Sequence, residues 1–226
     1  MIEIKEITKE YKIKNKTIIA INNITTNLEY GKLYLIMGPS GSGKSTLLQM
    51  LGLLDPPTRG KILIDKKDIY LLNNYEKNNF RSKKVGFIFQ SFYLNENLNS
   101  YENVMMPMFI NPKIKKTNRK KLAILLLNSL GLKERIFHYP NELSGGEQQR
   151  VAIARAIANN PDIILADEPT ASLDKENEKI ILNYLKKMSQ RGKCVIISSH
   201  DEFVKRYADY VIYLNNGEIT DKEVIK

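Results

Sequence analysis

The 226-residue sequence has little cysteine and no long apolar run, and each shortage excludes a class of protein. A single cysteine, Cys194, excludes an internal disulfide and is typical of a reducing compartment. Its neighbours Val195, Ile196 and Ile197 predict a buried strand residue rather than a reactive thiol. No run approaches the ~18 apolar residues of a spanning helix, and residues 1–6 lack a signal peptide's apolar segment. We therefore expect a cytosolic protein.

Acidic residues are outnumbered, with 25 Asp and Glu against 35 Lys and Arg and a formal net charge of +10. Such an excess is typical of proteins that contact nucleic acid or anionic membranes. The densest group of cations is Lys113, Lys115, Lys116, Arg119, Lys120 and Lys121. A solvated helix face and a surface for anionic lipid headgroups both fit this group. Nucleic acid fits less well, because no aromatic residue is interleaved for base stacking.

Hydrophobic residues at 42% and charged residues at 27% describe one ordinary globular domain. Residues 1–30 alternate Ile and Thr with polar residues, which predicts antiparallel strands. Short apolar runs then alternate with helical patterns, which predicts a mostly parallel sheet covered on both faces. Residues 91–142 have helical spacing broken by prolines and predict several inserted helices. The later predicted strands are 33–37, 61–65, 85–89, 163–166, 195–198 and 210–214, and the last forms a hairpin with 218–219.

The apolar run 33–37 leads into the phosphate-loop pattern G-x-x-x-x-G-K-[ST] at 38–45. Glycines let backbone N–H groups converge on phosphate oxygens, and the following helix N-terminus adds positive potential. In this pattern Lys44 reaches the β- and γ-phosphates, and Ser45 ligates Mg²⁺. The residues expected to contact the nucleotide are Gly38, Pro39, Ser40, Gly41, Ser42, Gly43, Lys44, Ser45 and Thr46.

Two acids, Asp167 and Glu168, follow the apolar run 163–166. Ligands of open α/β sheets bind at the carboxyl ends of the strands. We therefore expect Asp167 to hold Mg²⁺, directly or through water. Glu168 is then the general base for the attacking water, a role typically worth ~10²–10⁴-fold in rate.

The segment Leu143-Ser144-Gly145-Gly146-Glu147 predicts a helix start with a capping box between Ser144 and Glu147. By itself the segment fits a plain helix start. A capped helix with glycines in its first turn is also an anion site. A second phosphate site is redundant within one chain, but it fits a site that closes over ATP held by another copy.

The phosphate loop, the segment 143–147, the acids after 163–166 and Ser198-Ser199-His200 follow one another in a characteristic order. In these motifs and their order, the sequence resembles the ATP-binding-cassette (ABC) ATPases over almost its whole length. The resemblance implies a P-loop NTPase core of residues 1–90 and 143–226, with an N-terminal antiparallel β-subdomain. It implies an inserted helical subdomain at 91–142. It also implies a head-to-tail homodimer that binds two ATP with Mg²⁺ and hydrolyses them.

The same resemblance implies roles for further residues. Segment 144–146 would contact the γ-phosphate on the opposite chain, and His200 would contact that phosphate and orient the attacking water. Gln90 would sense Mg²⁺ and join the core to the helical subdomain, and Asp174 would lie in a loop that crosses the dimer interface. Tyr11 occupies the place of an aromatic that stacks on adenine, with a plain surface tyrosine as the alternative.

Within this family, the stretches 37–46, 102–104, 148–156 and 163–169 are similar to lipoprotein-release and macrolide-export ATPases, and to antimicrobial-peptide exporters. This predicts an exporter subunit that drives a separate membrane permease, docked on residues 91–142. We expect indirect association with the inner face of the cell membrane and no nucleic-acid partner. The alternatives are a division-type subunit whose membrane partner only transmits force, and a nucleic-acid-acting ABC ATPase.

Overall fold

The computed structural model describes residues 1–14, 16–171 and 173–225. Ser172, in the loop ahead of Asp174, lies outside the described residues. The strands are β1 (Ile2–Ile13), β2 (Lys16–Leu28), β3 (Leu33–Met37), β4 (Arg59–Ile64), β5 (Lys67–Asp68), β6 (Val85–Ile88), β7 (Ile163–Asp167), β8 (Cys194–Ser198), β9 (Tyr210–Asn215) and β10 (Glu218–Val224). The helices are α1 (Lys44–Leu51), α2 (Asn74–Lys84), α3 (Ser100–Met105), α4 (Lys116–Ser129), α5 (Gly145–Ile157), α6 (Lys175–Gln190) and α7 (Glu202–Lys205). Short 3₁₀ helices lie at Met106–Ile110, Lys133–Arg135 and Pro140–Glu142.

The strands form two sheets. One is antiparallel with the order β2-β1-β4-β5, as the alternation in residues 1–30 predicts. The other has the order β10-β9-β3-β8-β7-β6, and only its edge strand β10 is antiparallel to its neighbour. The predicted mostly parallel sheet with an N-terminal antiparallel sheet is therefore confirmed.

The parallel sheet is buried on both faces, which explains why its strands read as continuous apolar runs. Along β3, Leu33 and Leu35 pack into one core cluster, whereas Tyr34 and Ile36 pack into a second on the opposite face. The first cluster continues into α5, α6 and the helices of residues 100–130. The second joins α1 to the antiparallel sheet. Two packed layers thus hold the carboxyl ends of β3, β7 and β8 at one edge.

Several element boundaries differ from the prediction. Helix α6 begins at Lys175, five residues before the helical pattern of 180–188 in the sequence, because Asp174 caps it by accepting hydrogen bonds from the backbone N–H groups of Glu176 and Asn177. Helix α2 was not predicted, although it begins with a capping box between Asn73 and Glu76. Residues 91–142 contain several short helices, as expected. Within the described ranges, each helix is too short or too polar to cross a bilayer.

Candidate functional site

The phosphate loop connects the end of β3 to α1 through backbone angles that only glycine tolerates. Gly43 has a φ of +103°, and a Cβ there would lie 2.4 Å from the backbone oxygen of Ala20. At Gly38, with a φ of +156°, a Cβ would lie 2.0 Å from the backbone oxygen of Leu214. Alanine at either position would collide with backbone rather than with a movable side chain. The loop is therefore pressed against β2 and β9.

Lys44 places a buried positive charge inside this loop. It is 6% exposed, and its ammonium donates to the backbone oxygens of Gly38 at 2.8 Å and Pro39 at 2.9 Å. Among the described residues no carboxylate pairs with it, and the buried Ser42 hydroxyl has no hydrogen-bond partner. A buried cation without a counter-ion is costly unless an anion binds beside it. The adjoining cavity of ≈ 250 Å³ is lined by Ala20, Ser40, Gly41, Gly43, Lys44, Ser45, Thr46 and Glu168.

Oxygen atoms suited to Mg²⁺ converge beside this cavity. The Ser45 hydroxyl, in the first turn of α1, donates to Asp167 Oδ1 at 3.1 Å. The Ser198 hydroxyl, at the end of β8, donates to the same oxygen at 2.5 Å. Mg²⁺ prefers a few hard oxygen ligands together with substrate phosphates. The pair Ser45 and Asp167 fits that preference.

Glu168 is held in a strained backbone conformation next to His200. Its φ is +44°, a left-handed value that a residue with a Cβ adopts at a cost. Its N–H compensates by donating to the backbone oxygen of Ser198 at 3.1 Å and to its hydroxyl at 3.0 Å. His200 Nδ1 lies 3.3 Å from Glu168 Oε1, and this ring is 68% exposed. The strain therefore directs the Glu168 carboxylate into the cavity with an imidazole against it.

Gln90 lies at the same sheet edge as these acids. Strands β6 and β7 are parallel neighbours, with Ile88 opposite Ala166. Gln90 follows Ile88 by two residues, as Glu168 follows Ala166, and its side chain is exposed. Strand β6 itself ends at Ile88, one residue earlier than predicted.

Tyr11 lies near the end of β1 and is anchored by a carboxylate that sequence reasoning missed. Its hydroxyl donates to Asp55 Oδ2 at 2.5 Å, and the Lys9 ammonium pairs with the other oxygen of Asp55 and donates to the Pro56 backbone oxygen at 2.7 Å. Burial raises the pKa of Tyr11, and the hydrogen bond to Asp55 raises it further, while Thr46 acts in the opposite direction. The Lys9 ammonium lies 5.0 Å from the centre of the Tyr11 ring. The ring is thus fixed from the side of the antiparallel sheet.

The predicted capping box at the start of α5 is present. Ser144 Oγ accepts from the Glu147 N–H at 3.3 Å, and Glu147 Oε2 accepts from the Ser144 N–H at 2.8 Å. Burial acts to raise the pKa of Glu147, but hydrogen bonds from Arg135 and Ser144 outweigh it and lower the pKa. The Arg135 bond to Glu147 Oε1 is 2.7 Å long and ties α5 to residues 91–142.

Asp174 is connected to α5 through Asn177. The Asn177 side-chain amide donates to Asp174 Oδ2 at 2.6 Å, and its oxygen accepts from Arg150 on α5. The Asn177 N–H donates to Asp174 Oδ1 at 2.9 Å, and this bond lowers the pKa of Asp174. A Cβ on Gly146 would lie 2.7 Å from the Asn177 side chain, so this glycine is required for the contact. The two segments predicted to lie at the dimer interface are therefore linked by hydrogen bonds through Asn177.

The predicted site residues thus form two groups. The phosphate loop and Glu168 line one cavity, with Asp167 and His200 bonded to its lining residues. Of the described residues in segments 144–146 and 173–174, none lines that cavity. The first group has the phosphate loop and carboxylates suited to a triphosphate and water, whereas the second places the capped N-terminus of α5 outside that cavity.

A comparison with protein families gives the same result as these motifs. The family model for ABC transporters matches residues 21–171. The chain belongs to the ABC transporter family of ATPases. It binds ATP and is an ATPase subunit of that family.

Several relatives of this ABC ATPase are known. MJ0796 of Methanocaldococcus jannaschii, an uncharacterised ABC transporter ATP-binding protein, is 44% identical over 230 residues, or 100% of this chain and 98% of its own. A dimeric, post-hydrolysis structure of MJ0796 with ADP and Pi matches with a TM-score of 0.94 and 42% identity, covering 100% of this chain and 99% of that one.

Two further relatives belong to named transport systems. The macrolide export ATP-binding/permease protein MacB of Bdellovibrio bacteriovorus is 41% identical over 99% of this chain and 34% of its own length. CbiO1 of Clostridium perfringens, part of the ABC transporter complex cbiONQ, matches at 28% identity with a TM-score of 0.86, over 99% of this chain and 88% of that one.

Sequence reasoning missed three residues that shape this ABC site: Ser198, Asp55 and Asn177. Ser198 carried a signal, since a hydroxyl at the end of a parallel strand beside an acidic strand end is positioned for hydrogen bonding. Asp55 carried none, because Tyr11 is 44 residues away in the chain. Asn177 lies three residues after Asp174, but its contact with Arg150 spans 27 residues and no local pattern indicates it.

Proposed function

We propose that this ABC ATPase subunit forms a head-to-tail homodimer around two ATP and drives a separate membrane permease as an exporter. One observation carries the proposal: the anion site at Ser144 lies outside the cavity that its own phosphate loop lines. Two such copies can each supply what the other lacks. The dimeric MJ0796 cassette with ADP and Pi supports this arrangement.

The roles of the residues follow from their contacts. Lys44 and the loop N–H groups bind the β- and γ-phosphates of ATP, and Tyr11 stacks on adenine. Ser45 and Asp167 would hold Mg²⁺, which would supply positive charge against the phosphates, and Gln90 lies at the same edge. Segment 144–146 and Asp174 of one copy close over the γ-phosphate held by the other. ATP binding therefore precedes closure of the dimer, and closure completes the reaction centre.

Hydrolysis proceeds by attack of water on the γ-phosphorus. Glu168 accepts a proton from that water, and the bond between the γ-phosphorus and the β–γ bridging oxygen breaks to give ADP and phosphate. His200, 3.3 Å from Glu168, orients the water and contacts the γ-phosphate. The loss of the γ-phosphate removes the group that holds segment 144–146 of the partner copy. The dimer then opens.

A groove of ≈ 460 Å³ is the proposed docking site for the permease. Residues 91–142 contribute only part of it, through Tyr93, Met106 and Pro107, and the remainder comes from α2, β6, α5 and their loops. Arg155 closes one side by donating to the Phe92 backbone oxygen at 2.7 Å. Because the groove spans core and helical segment, movement between the two changes its shape. The similarity to MacB, whose name joins macrolide export to a permease, supports a membrane partner and outward transport.

A membrane pull-down tests this proposal. Glu168→Gln removes the general base, so ATP should hold the chain as a closed dimer that elutes at twice the monomer mass in gel filtration. This variant should capture an integral membrane protein in the presence of ATP. Adding Met106→Glu in the groove should abolish capture but keep the dimer, whereas Leu71→Glu, on a side chain 84% exposed elsewhere, should change neither. A Glu168→Gln chain that stays monomeric in saturating ATP would contradict the dimer. Unchanged capture of the membrane protein after Met106→Glu would contradict the proposed docking site.

A further inference from the structure

Residues 103–133 form the most positive part of the chain, with seven Lys and Arg and no Asp or Glu. Lys115 is the N-cap of α4, and Lys116 and Arg119 lie in its first turns, where acids are normally preferred. Cations at a helix N-terminus repel its positive end and oppose folding of the helix. A local arrangement that costs stability is expected where it serves binding.

Two large apolar side chains stand beside these cations. Phe109 is 56% exposed and Ile110 67% exposed, although Met108 and Asn111 on either side are buried. Asn111 Nδ2 donates to Asn159 Oδ1 at 3.2 Å, and the Asn159 amide donates to the Pro107 backbone oxygen at 2.8 Å. The segment is therefore held rigidly with its two apolar side chains outward.

The aromatic rings near this surface are already covered by cations. The Arg119 guanidinium lies 4.9 Å from the centre of the Phe109 ring, and the Lys120 ammonium lies 4.8 Å from that of Tyr101. Tyr101 also packs edge-on against Phe137, with ring centres 5.7 Å apart. Ring faces occupied in this way are not free to stack on nucleobases, which argues against a nucleic-acid surface.

We propose that this surface contacts anionic lipid headgroups directly. The basic wedge, as we name it, consists of Phe109, Ile110, Lys113, Lys115, Lys116 and Arg119. Its cations match the charge of the headgroups, and its two apolar side chains reach the acyl boundary, a combination that favours a bilayer surface. The orientation rests in part on the proposed function, because Met106 and Pro107 of the same 3₁₀ helix line the groove proposed for the permease.

The wedge supplies a second point of attachment beside the permease. Each cation close to an anionic membrane is typically worth about a fivefold change in binding, so three together are worth roughly 100-fold. This attachment holds the chain at the membrane while the dimer is open. Binding by charge falls as salt increases, because exposed charges are screened.

Vesicle flotation without any permease tests the proposal. The full chain is mixed with vesicles of phosphatidylcholine, or with vesicles in which phosphatidylglycerol replaces about a third of it, enough to give a negative surface potential. We expect the chain to float only with the anionic vesicles. Lys113→Gln/Lys115→Gln/Lys116→Gln should weaken binding roughly 100-fold, and Phe109→Ser/Ile110→Ser roughly tenfold. Basal ATPase activity of both variants should be unchanged.

The matched control is Lys61→Gln/Lys66→Gln/Lys67→Gln, which removes the same charge from exposed lysines of the antiparallel sheet. It should retain nearly full vesicle binding. An equal loss of vesicle binding in the two triple variants would overturn the role of the basic wedge, because net charge alone would then explain binding. Tighter binding to a short DNA duplex than to vesicles, abolished by the wedge variant, would overturn it in favour of nucleic acid. If the chain does not bind anionic vesicles, the ATP-trapped dimer of Glu168→Gln is still expected. The membrane proposal and the dimer proposal are therefore tested separately.

Discussion

At the scale of single residues, Asp55 anchors Tyr11 although it does not line the phosphate cavity. Its two oxygens hold Tyr11 and Lys9, and its backbone oxygen accepts from the Tyr70 hydroxyl at 2.8 Å. The same Tyr70 hydroxyl lies 2.6 Å from the Met50 backbone oxygen, in the last turn of α1, and shares its one proton between the two acceptors. The proposed adenine platform is therefore tied to the helix that follows the phosphate loop.

Asp55→Asn should raise the KM for ATP about fivefold and leave kcat within about twofold, since one charge-assisted hydrogen bond to the platform is weakened. Steady-state kinetics measure the split. In a Tyr11→Leu background the same change should have no further effect on KM. Asp65→Asn is the control, because Asp65 also accepts a hydrogen bond from a tyrosine, but that tyrosine is Tyr30 rather than Tyr11. A lowered kcat with unchanged KM would contradict the positioning role of Asp55.

Cys194 carries a thiol, a potential nucleophile, but its burial makes it unreactive. Burial raises the pKa of its thiol to about 12, so the thiolate is essentially absent at neutral pH. We expect no alkylation by iodoacetamide in the native chain at pH 8 and complete alkylation after unfolding in guanidinium, as measured by intact mass. Stoichiometric labelling of the native chain would contradict the buried position in β8.

At the scale of elements, α5 depends on the Glu147 carboxylate. Glu147→Gln removes the charge that meets Arg135 and weakens the capping box, so it should lower the free energy of unfolding by about 1 kcal/mol at pH 7. The folded pKa of Glu147 is lowered, so its contribution is present above the unfolded value and is lost as pH falls through the folded one.

Thermal unfolding across pH tests this assignment. The difference between Glu147→Gln and the unmodified chain should be full at pH 7 and shrink in acid, where both side chains are neutral. Glu176→Gln on α6, an exposed first-turn acid, is the control and should have a smaller effect. A stability difference that persists unchanged in strong acid would show that Glu147 acts through shape rather than charge.

The motif-bearing elements were predictable from the sequence because their signals are local. The apolar strands β3, β7 and β8, the loop at 38–45 and the capping box at Ser144 all lie within a few residues of the feature that defines them. The chain-distant contacts were not predictable. Asp55 with Tyr11, and Arg150 with Asn177, join residues through the folded sheet order, which no local pattern encodes.

Helix α2 was missed for a different reason. Its sequence is almost wholly polar and none of its residues is fully buried, so it lacks the apolar stripe from which helices are recognised. Only its capping box and its basic last turn indicate it. The exposure of Phe109 and Ile110 in the basic wedge was likewise not predictable, since it depends on how Met108 and Asn111 are packed.

At the scale of the whole molecule, the two groups of site residues form the central feature. One copy has a phosphate loop with its acids and, outside that cavity, the proposed anion site at Ser144, whose helix is joined to Asp174 through Asn177. In the proposed symmetric dimer the same surfaces of both copies pair, so two composite centres would form together. The positive charge of residues 103–133 lies outside both groups in the sequence.

Each reaction centre is proposed to be shared between two copies, and mixing two variants with complementary defects tests this claim. Lys44→Ala destroys the phosphate loop of one chain, and Ser144→Arg blocks the anion site of the other. Each variant alone should be inactive. In an equimolar mixture about half of the dimers contain one chain of each variant, and each such dimer keeps one of its two centres whole. Turnover should therefore recover to about a quarter of the unmodified rate. A mixture no more active than its separate components would contradict the claim.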